Sequence, residues 1–82
     1  MSTSTTVNIH KFLEGFEENY EWLYDGGDRI TGYLELVTAF DSFAETHQDF
    51  VSEFVNLRGD FISSDREAAA FMLTLMDMGG EV

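Results

Sequence analysis

Between residues 9 and 24 the apolar side chains Ile9, Phe12, Leu13, Phe16, Tyr20 and Leu23 recur every three or four positions, the repeat of one buried stripe on an α-helix. Asn8 or Thr6 stands where a side chain would cap the first free N–H groups, and Gly26-Gly27 stands where the chain can turn and end the helix. A second helix is expected from about Thr31, carrying Tyr33, Leu34, Val37, Phe40 and Ala44 on one side. Thr46-His-Gln-Asp49 has the spacing of a capping box and would open a third helix with Phe50, Val51, Phe54 and Leu57 inward, ended by Gly59. No glycine separates these two helices, and apolar spacing continues through Phe40, Phe43, Ala44, His47, Phe50 and Phe54. One unbroken helix from Thr31 to Arg58 is therefore equally allowed by the pattern.

The last helix has the strongest start signal, Ser64-Asp-Arg-Glu67, and Gly79-Gly80 for its end. Ala68-Ala-Ala-Phe-Met-Leu73 with Leu75, Met76 and Met78 leaves only Glu67, Thr74 and Asp77 as a polar strip, so this helix should be central or form a homodimer interface over residues 65–78. The fold expected is all-α: one four-helix domain over residues 8–80, made of two helix-loop-helix units, with residues 1–7 as a frayed tail. A short two-stranded ribbon between the two loops is compatible with it.

Composition narrows the functions available. The 82 residues hold eight Phe, three Tyr and one Trp, enough rings for one modest core, although a chain this short buries only about 60–65% of the surface it exposes when unfolded. Without Cys it has no disulfide, thiolate metal site or thiol nucleophile. No apolar run approaches the length of a membrane span and the N-terminus has no leader pattern, so a cytoplasmic protein is expected. Sixteen Asp and Glu against four Lys and Arg give a net charge of −12. That charge repels nucleic-acid phosphates and anionic lipid, and it favours a basic protein as partner.

Gly27-Asp-Arg-Ile-Thr31 with Glu35 recurs 32 residues later as Gly59-Asp-Phe-Ile-Ser63 with Glu67, each between two helical segments. This arrangement resembles a degenerate EF-hand pair, in which Ile30 and Ile62 would meet across the ribbon. The position that an EF-hand reserves for its bidentate Glu holds Leu34 and Arg66 here, both glutamates fall one residue late, and Asp28 and Asp60 replace the loop glycine. Calcium is not expected at either loop. Asp41-Ser42-Phe43 is similar to the Asp-Ser-Leu of acyl carrier proteins, and that resemblance implies phosphopantetheine on Ser42. In carrier proteins, however, the serine opens a helix, whereas Val37-Thr-Ala-Phe40 runs into Ser42 with helical periodicity.

Catalytic constellations are not visible: there are two His, and no Ser stands in a nucleophile-elbow context. Glu14-x-x-Glu17 and Glu18-x-x-Glu21 lack the Glu-x-x-His partner of a helix-bundle metal centre, since His47 is preceded at that spacing by Ala44. No metal and no cofactor is expected. His10 reads as a surface residue one turn before Glu14, and His47 as a packing or capping residue.

On a wheel of about 100° per residue, the six apolar positions of the first helix occupy about 100°. Glu17, His10, Glu21, Glu14, Asp25 and Glu18 follow over an adjacent arc, forming a row of carboxylates roughly 16 Å long. Trp22 falls beside this row with Lys11 and Gly15, at the edge farthest from the core. If the middle helices are continuous, Asp41, Glu45, Asp49 and Glu53 make a second ladder. The expected function is non-enzymatic: an inhibitor that offers Glu14, Glu17, Glu18, Glu21, Asp25 and Trp22 to a basic nucleic-acid-binding protein in place of phosphates. In size and charge the chain is similar to phage and plasmid anti-CRISPR and anti-restriction proteins and to bacteriocin immunity proteins. The alternatives are an EF-hand-like interaction module and a carrier protein modified at Ser42.

Overall fold

A computed structural model describes residues 9–26 and 31–78, and these form four helices: α1 (Ile9–Tyr24), α2 (Tyr33–Thr46), α3 (Gln48–Arg58) and α4 (Asp65–Asp77). The all-α, four-helix reading holds. The described residues contain no strand; Ile62 lies in irregular backbone, and its proposed ribbon partner Ile30 falls outside the described residues, as do the caps Asn8 and Thr6 and the glycines Gly79-Gly80.

Phe71 of α4 organises the core. Its ring is ringed by Phe12 of α1 at 4.8 Å, Phe40 and Phe43 of α2 at 5.1 and 5.6 Å, and Phe50 and Phe54 of α3 at 5.9 and 5.1 Å. Most of these pairs meet edge to face, the geometry that brings a positive ring edge to a negative face and adds about 0.5–1.5 kcal/mol per pair beyond area burial. Ala68, Ala69 and Ala70 are buried beside it, so α4 presents little bulk where other helices cross. The expectation of a central last helix is met within one chain: α4 packs chiefly on α1 and α2, and of its large apolar side chains only Met76 is well exposed.

The single-helix alternative for residues 31–58 is overturned. Backbone at His47 departs from helical geometry (φ −130°, ψ 49°), and α3 starts one residue later. The bend lets Phe40 and Phe43 from one side, and Phe50 and Phe54 from the other, reach the same Phe71. A straight helix spreads those four rings over about 20 Å, at 1.5 Å per residue. Nor does Thr46-His-Gln-Asp49 form a capping box. The Thr46 hydroxyl turns back to the carbonyls of Ser42 and Phe43, and the α3 N-cap has no side-chain hydrogen bond. The second helix begins at Tyr33 rather than Thr31, because Gly32 takes the left-handed conformation (φ 92°) at its N-cap.

The start signal at residues 64–67 is realised with one shift. Ser64 Oγ accepts the Glu67 N–H at 3.2 Å, while the Glu67 carboxylate accepts from the backbone N–H of Ser63 rather than from that of Ser64. In both halves of the sequence echo the glutamate occupies the third position of the following helix, Glu35 in α2 and Glu67 in α4. The 32-residue repeat is thus a repeated helix start.

Candidate acidic interface

Glu14, Glu17, Glu18, Glu21 and Asp25 are all exposed on α1 or just after it, on the side away from buried Phe12, Phe16 and Leu23. Helix geometry alone sets this arrangement, since the aromatic stripe must face Phe71 and the carboxylates take the remaining arc. Trp22 is 50% exposed, as the wheel implies. Its neighbourhood differs from the expectation. Gly15, assigned to the outermost edge, faces α4 so closely that an added Cβ would lie 3.0 Å from Thr74 Cγ2. One turn on, Asn19 donates to Thr74 Oγ1 at 2.9 Å and to Asp77 at 3.3 Å, and the Thr74 hydroxyl donates to the Ala70 carbonyl at 2.7 Å. A wheel scored on apolar residues alone misses this contact, because a glycine and an asparagine make it. Trp22 therefore lies between the acidic row and the α4 side of α1.

At the end of the row, Tyr20, Glu21, Tyr24 and Asp25 line an open depression of about 360 Å³. The Arg66 guanidinium lies 5.1 Å from the Tyr24 ring, so this end joins carboxylates to an aromatic face that already accepts a cation. The second ladder is interrupted. Asp41 and Glu45 belong to α2, Asp49 and Glu53 to α3, and although all four are exposed, the His47 bend breaks their common line.

The distribution of charge is more unequal than composition implies. Every described Asp and Glu is exposed except Glu67, which is 7% accessible. Of the three described Lys and Arg, only Lys11 is exposed. Arg58 turns inward: its guanidinium bonds Glu67 at 2.7 Å, lies 4.8 Å from the Phe16 ring, donates to the Phe61 carbonyl at 3.2 Å and approaches Glu17 at 3.9 Å. Burial pushes the Glu67 carboxyl up, but the Ser63 N–H, Arg58 and the Ser64 hydroxyl together outweigh it and hold the group below its ordinary value of 4.5. This latch ties the α3 C-terminus to the start of α4. In the sequence Arg58 marks only a helix end; its position just before a helix-ending Gly and nine residues before a capping glutamate is the one local signal of the latch.

Ser42 is exposed at the tenth position of α2, so it does not open a helix as the carrier-protein likeness requires. Among the described residues no three His, Asp or Glu side chains are grouped to hold a metal ion, and the first of the two EF-hand-like loops lies largely outside them. The His47 ring stacks on Phe43 at 4.2 Å and is half-buried, consistent with packing. No described helix is long and apolar enough to cross a membrane. Comparison with protein-family models, with curated proteins and with solved structures finds no match to this chain.

Proposed function

We propose that this protein is a non-enzymatic inhibitor that presents the α1 carboxylate row to the nucleic-acid-binding surface of a basic protein, in the manner of phage or plasmid anti-restriction and anti-CRISPR proteins. The supporting observation is the division of charge: Glu14, Glu17, Glu18, Glu21 and Asp25 are exposed together, while Arg58 is turned into the fold. Glu14 with Glu18 and Glu17 with Glu21 are like-charge pairs one turn apart, each costing a few tenths of a kcal/mol in the free protein. A basic partner relieves that repulsion on binding. Trp22, half exposed beside the row, supplies an apolar anchor of the kind that concentrates binding energy at interfaces.

Such binding is steered by opposite fields and weakens as salt screens charges over about 8–10 Å. The test is affinity capture with the full chain as bait, followed by competition with duplex DNA or RNA. The reading expects a basic nucleic-acid-binding protein that elutes with salt and is displaced by nucleic acid. Capture of a partner indifferent to both sinks it.

A further inference from the structure

The order in which the helices pack has a consequence for self-association. Within the first half of the chain α1 and α2 scarcely touch, and within the second half α3 and α4 share few backbone contacts. The extensive packing runs between halves, α1 on α4 and α2 on α4. Phe50 and Phe54 meet Phe71 within the second half, but neither half buries its whole apolar face alone, so the core closes only where the two halves meet.

One residue joins them. His47 alone separates α2 from α3, and residues 33–58 contain neither Gly nor Pro. Helical bonding persists on both sides of the bend: the His47 N–H donates to the Phe43 carbonyl at 2.8 Å, and the Val51 N–H donates to the His47 carbonyl at 3.1 Å. No side-chain cap holds the α3 start. The apolar spacing from Phe40 to Phe54 also reads as one helix. No Gly or Pro forces the bend; it is held by the rings gathered on Phe71 and by local bonds of the His47 ring to the Thr46 hydroxyl and the Phe43 carbonyl.

We infer that a second copy of this chain can satisfy the same core, with α2 and α3 straightened through His47 into one helix of about 39 Å and each α1–α2 half packed on the α3–α4 half of its partner. The Phe12–Phe71 and Phe40–Phe71 contacts, the Asn19–Thr74 hydrogen bond and the Gly15–Thr74 approach then form between chains instead of within one. Arg58 and Glu67, both beyond the joint, keep their pair within a chain. The exchanged dimer loses the contacts that hold the bend, such as Phe43 with Phe50 at 6.2 Å, and brings together two chains of net charge −12, so it should form more readily as salt rises. In return it gains helical bonding at each joint. Exchange of identical elements is a low-cost route to a dimer and is governed by chain concentration. It requires opening of the core, so the two forms interconvert slowly unless the fold is loosened. The inference does not depend on the acidic row being the binding surface.

The experiment uses the cysteine-free chain carrying Asn19→Cys and Thr74→Cys. The protein is held concentrated in mild denaturant, returned to buffer, separated by size and oxidised. The inference expects a dimer fraction whose chains are covalently linked to one another on a non-reducing denaturing gel, and a monomer fraction linked only within chains. His47→Ala should raise dimer formation over His47→Gly by roughly 30-fold in association constant, since Gly is about fivefold less favourable than Ala at one helix-interior position and the dimer contains two. Two results overturn it: a chain that remains monomeric throughout, His47→Ala included, or a dimer with cross-links only within chains. The latter is a side-by-side association of closed molecules.

Discussion

The carboxylate of Glu67 and the carboxylates of the α1 row have opposite environments. Glu67 is buried and accepts bonds from the Ser63 N–H, the Ser63 and Ser64 hydroxyls and the Arg58 guanidinium. In the row, Glu14, Glu17, Glu18, Glu21 and Asp25 face solvent, and Arg58 reaches only Glu17, at the margin of ion-pair distance. A charge that is desolvated and fully bonded is part of the fold, and removing its partner leaves an uncompensated buried ion. A charge in water, surrounded by others of its own sign, adds nothing to stability. In a chain of net charge −12 only the first kind explains itself structurally. The second kind has no bonding role in the described fold, and the basic partner proposed above would give it one.

Breaking either side of this contrast should have effects of very different size. Arg58→Ala or Glu67→Ala strands the other member of a buried pair and should lower stability by about 3–5 kcal/mol in denaturant unfolding. Glu67→Gln keeps the shape but trades charge-assisted bonds for weaker ones, an expected loss of about 1.5–3 kcal/mol. The same variant should alter the acid limb of stability. Because the Glu67 carboxyl titrates below its ordinary value in the folded state, its contribution is complete above that value and is lost as pH falls through the lowered one. The stability difference between wild type and Glu67→Gln should therefore shrink as pH falls below about 4.5, and a difference that stays constant down to pH 2 would contradict the latch. Ser64→Ala removes the α4 cap and should cost about 1 kcal/mol by the same unfolding measurement. Reversal of Glu14, Glu17 and Glu21 to Lys should change stability by only a few tenths of a kcal/mol: the Glu14–Glu18 repulsion becomes an attraction, positions 17 and 21 stay a like-charge pair, and the weak Glu17–Arg58 approach is lost.

Much of this contrast was legible in the sequence, but unevenly. The span of α1, the start of α4 at Ser64 and the outward row from Glu14 to Asp25 follow from periodicity and caps, which are local. His47 is ambiguous in sequence because no Gly or Pro marks a break there; the bend serves Phe71, a residue 24 positions later. Gly15 and Asn19 escaped notice because close approach and a side-chain amide leave no mark in an apolar pattern. Arg58 escaped because a charged residue at a helix end reads as solvated, and only the folded chain brings Phe16, Phe61 and Glu67 around it.

The proposal that the α1 row serves recognition and not the fold can be tested on both sides with one variant. With Glu14, Glu17 and Glu21 reversed to Lys, thermal unfolding and capture of the basic partner are measured on the same preparation. An unfolding midpoint close to that of the wild type together with loss of capture is expected. Capture at wild-type affinity by that folded, charge-reversed protein contradicts it.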